Sequence, residues 1–393
     1  MDDVPAGPAS PESRRPLLSV VIPVHNGGQD FERCLLRLRD SDRTDYELVV
    51  VDDGSTDSSA ALAERFGAIV VRNPTRNGPA QARNTGARAA TAPLVFFLDA
   101  DVAVHRDTLS KVVARFEADP GLSALFGSYD DQPTAPGVVS QYRNLLHHYV
   151  HQQGEFVAGA RPARTFWTGC GAIRKQAFLD FGGFDPKLYD RPAIEDIELG
   201  YRLTDAGCRV LLARDVLATH MKRWTLASVV RTDIFQRGVP WMLLMKRSKT
   251  AQSDLNVRPD QRASVAAAGL LGLSLAASAW FPGLLAVAAA ALAAIVGLNF
   301  GFYRFLARRR GWGFALASIP LHYVYFCCCG LSVVIALGLW HLAPRRAGAL
   351  EMEREPRDAS TTSRRADPAD ERVIPRPSAA RARRPSRWTR PRA

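Results

Sequence analysis

Four short apolar runs punctuate the first hundred residues. Residues 17–23, 46–51, 68–71 and 93–98 are each almost free of charge and read as buried strands. Between them, 31–39, 58–66 and the Ala-rich 78–90 read as helices. Continuous apolar strands alternating with helices predict an α/β domain with a mostly parallel sheet covered on both faces. Ligands of such sheets sit beyond the carboxyl ends of the strands. Two acidic clusters fall at those ends, Asp52-Asp53 and Asp99-Ala100-Asp101. Carboxylates two residues apart suit a hard divalent cation that also touches a phosphate. The same residues can also form an ordinary strand-end turn, and Asp52 and Asp53 can cap the helix that follows.

After residue 103 the alternation loosens. Residues 163–178 and 182–207 read as a second lobe with a short strand at 209–212, and this lobe holds Glu195-Asp196. His147, His148 and His151 lie in a polar helical stretch and read as a solvated face rather than a metal site. From residue 263 the chain changes solvent. Residues 263–281 and 283–303 carry no charge, and 313–341 is a third apolar run containing Pro320. Each is long enough for a bilayer span of roughly 20 residues, the third as a tilted or kinked helix. Residues 223–262 form a connector that mixes Trp and Leu with Lys and Arg. It suits a helix in the membrane interface or a helix packed on the preceding lobe. Arg304, Arg308, Arg309 and Arg310 place the loop between the second and third runs in the cytoplasm. The third run would then carry the C-terminal tail outward against the same rule, unless it is re-entrant.

The net charge of +12 is uneven, with 14 Arg and 7 Asp or Glu in residues 344–393. This Arg/Pro-rich tail, like residues 1–16, reads as disordered. It can attract anionic lipid or stay solvated, and a nucleic-acid partner is not expected. The six Cys form no Cys-x-x-Cys pair, so neither a zinc site nor a disulfide framework is indicated. Residues 1–16 lack the apolar core of a signal peptide, which predicts a cytoplasmic first domain (17–222).

The motifs form an ordered series. Pro23-Val24-His25-Asn26-Gly27 comes first, then Val51-Asp52-Asp53-Gly54-Ser55, Ala82-Arg83-Asn84-Thr85-Gly86 and Asp99-Ala100-Asp101. Thr168-Gly169-Cys170-Gly171, Gly182-Gly183-Phe184-Asp185 and Glu195-Asp196-Ile197-Glu198-Leu199 follow. Over residues 18–220 this series resembles the membrane-anchored bacterial family 2 glycosyltransferases. The resemblance implies a GT-A fold and inverting transfer of a sugar from a nucleotide-sugar donor. It implies that Pro23, His25 and Asn26 line base and ribose, and that Asp53 accepts a hydrogen bond from the base while Asp52 supports the loop. Arg83 would reach base or phosphate, with Ala100 in the same nucleotide site, although by itself Arg83 reads as a surface charge. Asp99 and Asp101 would hold Mg²⁺ or Mn²⁺ against the diphosphate, with His220 as a further ligand or a merely structural residue. Asp196 would be the general base, with Glu195 positioning the acceptor, unless the pair only decorates a helix N-terminus. Thr168, Gly169, Gly183 and Asp185 would shape the sugar and acceptor pocket.

Gln236-Arg237-Gly238-Val239-Pro240-Trp241 is loosely similar to the Gln-x-x-Arg-Trp motif of processive synthases, with Arg directly after Gln. Trp241 would stack on an acceptor sugar and Arg237 would meet a phosphate. The expected setting is multi-pass in the inner membrane with a cytoplasmic catalytic domain. The expected partners are membrane lipids and a lipid-linked or membrane-proximal acceptor. A processive polysaccharide synthase and a non-catalytic sugar-nucleotide scaffold are the alternatives.

Overall fold

The computed structural model describes residues 16–248 and 258–342. The expectations for residues 1–15, for 249–257 of the connector and for the tail 343–393 lie outside the described residues.

Strands β1 (Leu18–Val24), β2 (Tyr46–Asp53), β3 (Ile69–Asn73) and β4 (Leu94–Leu98) are mutually parallel. Helices α1 (Gly28–Arg39), α2 (Ser59–Arg65) and α3 (Pro79–Ala89) connect them. Both faces of these strands are buried. Val20, Ile22, Val50 and Phe96 enter one core, whereas Val21, Val49, Val95 and Phe97 enter the other. That two-sided burial is why the runs are continuously apolar instead of alternating. Helix α1 buries Phe31, Cys34, Leu35 and Leu38, the spacing of one helical face. In the second core Phe97, Phe178 and Phe184 pack with ring centroids 5.0–5.5 Å apart. Each such ring pair adds about 0.5–1.5 kcal/mol to its area burial.

The expected second lobe is instead a continuation of the same sheet. β5 (Val102–Val104), β6 (Leu122–Tyr129), β7 (Ala160–Pro162), β8 (Cys170–Arg174) and β9 (Arg209–His220) complete the order β3-β2-β1-β4-β8-β6-β9-β5, with β7 on β9. Helices α4 (Thr108–Ala118), α5 (Val138–His151), α6 (Lys175–Asp180) and α7 (Glu195–Asp205) accompany them. β8 is antiparallel to both β4 and β6, and β6 is parallel to β9. β4, β6 and β9 therefore run the same way as β1–β3, so the sheet is mixed but mostly co-directional. The C-terminal ends of six strands, near Val24, Asp53, Asn73, Leu98, Tyr129 and His220, share one rim.

The chain then forms α8 (Leu226–Arg231), a π-helical turn (Thr232–Gly238) and α9 (Val239–Ser248). Thr225 and Ser228 close a reciprocal capping box at the start of α8. Four helices follow: α10 (Pro259–Ala277), α11 (Leu284–Leu298), α12 (Phe300–Arg310) and α13 (Trp312–Leu342). The second apolar run is not one straight helix. It bends by 67° between α11 and α12. Asn299 sits at the break, buried, and its Nδ2 donates to Ser264 Oγ and Ile295 O, both at 2.9 Å. Among the described residues α13 is long and apolar enough to cross a membrane, and the bent pair makes a second such segment if counted as one. Helix α5 joins the two halves of the molecule. Tyr142, Leu145 and Leu146 pack with Ile295, Phe302, Leu306 and Phe326, while Asn144 and His148 bond to residues of the sheet.

Candidate active site

The shared rim opens into a cavity of about 1190 Å³ that runs from the β1–β2 edge to α13. At its first end Pro23, His25, Asn26 and Asp53 form the wall. Asn26 has a left-handed backbone (φ 53°), and its Oδ1 accepts from the Thr56 amide at 2.8 Å. His25 Nδ1 lies 3.0 Å from Asp53 O. Asp53 is buried and ties its own loop. Oδ1 accepts from Asn73 Nδ2 (2.8 Å) and the Asn77 amide (3.0 Å), and Oδ2 from the Gly78 amide (2.8 Å). Asp52 does not face the cavity; its Oδ1 accepts from the Ser55 amide at 3.0 Å and closes the turn after β2.

Arg83 on α3 is buried and bridges two carboxylates. Nη2 donates to Asp99 Oδ1 at 2.6 Å and Nη1 to Glu195 Oε1 at 2.8 Å. Glu195 Oε2 also accepts from the Ala193 amide. Burial works against the guanidinium's charge, but Asp99 and Glu195 outweigh it and push its pKa up. Ala100 lies between the two Asp residues on the cavity wall.

Asp101 faces His220, with Nε2 3.7 Å from Oδ2. His220 Nδ1 lies 2.7 Å from Asn144 Oδ1, which also accepts from Trp224 Nε1. That second bond fixes the amide and makes Nδ1 the protonated nitrogen, so Nε2 turns toward Asp101. The ring stacks on Tyr129 at 4.2 Å. Burial alone would raise the Asp101 carboxyl, yet His220 and then Lys222 overcome it and hold it low, at about 2. Once Nε2 gives up its proton, the imidazole and the carboxylate facing it fit a divalent cation between them. Among the described residues no three His, Cys, Asp or Glu side chains are grouped to hold a metal by themselves. Asp99 is turned to Arg83, so the remaining positions would fall to substrate oxygens and water.

Asp196, in the first turn of α7, has Oδ2 near the Thr168 amide (3.1 Å) and hydroxyl (3.3 Å), and Oδ1 on the Ile197 amide. Burial, reinforced by Glu195, raises its carboxyl to about 6, against the lowering pull of Arg83. Thr168, Arg237 and Trp241 line the cavity, and Trp241 Nε1 donates to the Tyr201 hydroxyl at 2.9 Å. Gly169, Gly183 and Asp185 lie off its wall. Gly183 has φ 68°, and a Cβ there would meet Asn84 Oδ1 at 2.5 Å. Asp185 Oδ1 accepts from the Lys187 and Leu188 amides. Both shape the loop before α7 and not the cavity.

The sequence reading missed three contributors. His147 and His151 are not a solvated face: they border the cavity with Nε2 atoms 3.2 Å apart and pack against Trp167. Burial lowers both, His151 to about 3. Arg143 is buried beside them and ion-pairs with Asp233. Their one sequence signal is the i, i+4 and i, i+8 spacing from Arg143 along α5.

Residues 19–182 match the family model described as Glycosyl transferase family 2. The chain is 31% identical over 240 residues to the pre-mycofactocin glycosyltransferase of Mycobacterium tuberculosis, covering 60% of this chain and 48% of that one. An uncharacterized M. tuberculosis protein is 30% identical over 249 residues, 58% of this chain and 76% of its own length. The validoxylamine A glucosyltransferase of Streptomyces hygroscopicus is 29% identical, with 52% and 55% covered. The chain thus spans about half the length of the two named glycosyltransferases. The mannosyltransferase PcManGT of Pyrobaculum calidifontis, solved with GDP-Man and Mn²⁺, superposes with a TM-score of 0.51 at 21% identity, covering 86% of this chain and 90% of that one, a likeness of fold. Residues 19–182 thus carry a glycosyltransferase family 2 domain.

Proposed function

We propose that the protein is an inverting glycosyltransferase that moves a sugar from a nucleotide-sugar donor to an acceptor reaching the cavity from the side of α9, α10 and α13. One observation carries this reading: the nucleotide-side residues, the Asp101–His220 pair and Asp196 border one continuous cavity. The base would lie against Pro23–Asn26, with Asp53 holding the floor of that subsite. Asp101 and His220 would hold Mg²⁺ or Mn²⁺, and the Mn²⁺ and GDP-Man of the solved mannosyltransferase of like fold support this. When bound, the ion neutralises charge growing on the diphosphate. Arg83 keeps Asp99 and Glu195 in register beside it.

Asp196 supplies the proton chemistry. An acceptor hydroxyl attacks the anomeric carbon from the face opposite the diphosphate. The new C–O bond forms as the bond to the diphosphate oxygen breaks and its electron pair leaves with that oxygen. The hydroxyl proton passes to Asp196, whose raised carboxyl makes it a competent base near neutral pH. The exposed apolar faces of α10–α13 support a membrane-associated setting in which the acceptor is lipid-linked or membrane-proximal.

The test uses full-length protein in membranes, a panel of nucleotide sugars and a readout of nucleoside diphosphate release with labelled lipid products. Release with one donor, abolished by chelation and restored by Mn²⁺ or Mg²⁺, is expected. Asp101→Ala should raise the metal concentration needed for half-maximal activity by about tenfold or more. Turnover that is indifferent to chelation would overturn the metal assignment.

A further inference from the structure

The inner end of the cavity holds a charge arrangement that the donor site does not use. Arg143 from α5 donates to Asp233 Oδ1, and the Arg143 guanidinium also lies 5.7 Å from the Trp224 ring. Asp233 Oδ2 is buried with no hydrogen-bond partner. One turn on, Arg237 borders the cavity with no hydrogen-bond or ion-pair partner among the described residues. Burial and then the nearby Arg143 lower its pKa, while Asp233, Tyr129 and Asp196 act in the opposite sense. Two guanidiniums therefore face one carboxylate, Arg143 and Asp233 buried and Arg237 partly buried. That leaves positive charge in excess in a partly desolvated corner, and an arriving anion would offset it.

The backbone here is a π-helical turn, an arrangement frequent at functional sites. The walls next to it are apolar: Met242 and Met245 of α9, Val265 of α10, and Phe326 and Val333 of α13.

We propose that this corner is an acceptor subsite for a phosphate carried on an apolar chain, with Arg237 and Arg143 holding the phosphate and the chain lying between α9, α10 and α13. The inference rests on the glycosyl-transfer reading and names the class of its acceptor. Guanidinium groups match phosphate oxygens in geometry and charge. A neutral amphiphile satisfies the apolar walls but leaves Arg237 uncompensated.

The experiment measures binding, so it does not depend on turnover. Full-length protein in detergent is saturated with Mn²⁺ and UDP, or in parallel GDP, and titrated with citronellyl phosphate and with citronellol, following tryptophan fluorescence. The phosphate ester is expected to bind about tenfold or more tighter than the alcohol. Arg237→Gln should erase that difference while leaving affinity for the nucleoside diphosphate unchanged, and Arg237→Lys should retain part of it. Equal binding of ester and alcohol overturns the proposal. So does an Arg237→Gln variant that loses nucleoside diphosphate instead, which would assign Arg237 to the donor. The ester-against-alcohol comparison needs no variant and stands even where Arg237→Gln fails to fold. Failure of the transfer reading shows separately, as absence of diphosphate release with every donor in the panel.

Discussion

Asp196 and Arg83 set the behaviour of the site at the residue scale. The Asp196 carboxyl is raised to about 6 by burial and Glu195, so activity that needs its ionised form falls as pH drops through about 6. Asp196→Asn should lower kcat by about 10²–10⁴ and remove that limb, with donor affinity retained. Stability has the opposite sign. The unfolded chain gives up this proton near pH 4 and the folded chain only near 6, so the wild type loses stability as pH rises through that window. The melting temperature of Asp196→Asn should therefore gain on the wild type between pH 4 and 6. Arg83→Met tests the bridge. It strands Glu195 buried and Asp99 half-buried, at a cost of about 3 kcal/mol in denaturant unfolding. It also withdraws the cation that lowers Asp196, so the acid limb of any residual activity moves to higher pH.

At the scale of elements, each motif was legible where one strand delivers one side chain to the rim. Asp53, Asp99 and Asp101 follow apolar strands, and no partner from elsewhere is needed to see them. What stayed hidden depends on strand insertion. β8 is five residues long with a Gly and an Ala, and it slots antiparallel between β4 and β6, which are far apart in sequence. No periodicity in Cys170–Arg174 announces that, so 163–178 and 182–207 read as a separate lobe. The pairing of Arg83 with Glu195 across 112 positions was invisible for the same reason. Placement of α7 depends on such a packing contact. Gly200 lets the helix approach the chain at Thr165–Phe166, where a Cβ would meet the Phe166 amide nitrogen at 2.3 Å. Gly200→Ala must shift α7 against backbone, with an expected loss of about 1–3 kcal/mol. Because Glu195 and Asp196 ride on the same helix, kcat should fall while the metal requirement stays as in the wild type.

For the whole molecule, the question is how the α/β sheet and its rim are joined to the apolar helices that follow. Helix α5 gives one physical answer, since it packs on the sheet through Asn144 and His148 and on α11–α13 through Tyr142, Leu145 and Leu146. The cavity passes along this joint, so chemistry at the strand ends opens beside apolar helices. Those helices and the turn between α10 and α11 keep large apolar side chains outward: Leu273, Trp280, Phe281, Val334 and Leu342 are each about two-thirds exposed or more. A water-facing surface of that kind would be an aggregation hazard, whereas a bilayer satisfies it at about 25 cal/mol per Å² covered. Exposed Arg304 and Arg308 of α12 then suit an anionic lipid face, whereas Arg309 pairs with Asp131 and Arg310 donates to Gln141. Membranes carrying the full-length protein should therefore retain it through washes in high salt and in alkaline carbonate, and release it only to detergent. Release by salt alone would reduce the attachment to charge, and release by carbonate would leave α13 as a helix covered by protein. In either case the acceptor would have to reach Asp196 from water, and the apolar end of the cavity would need another occupant.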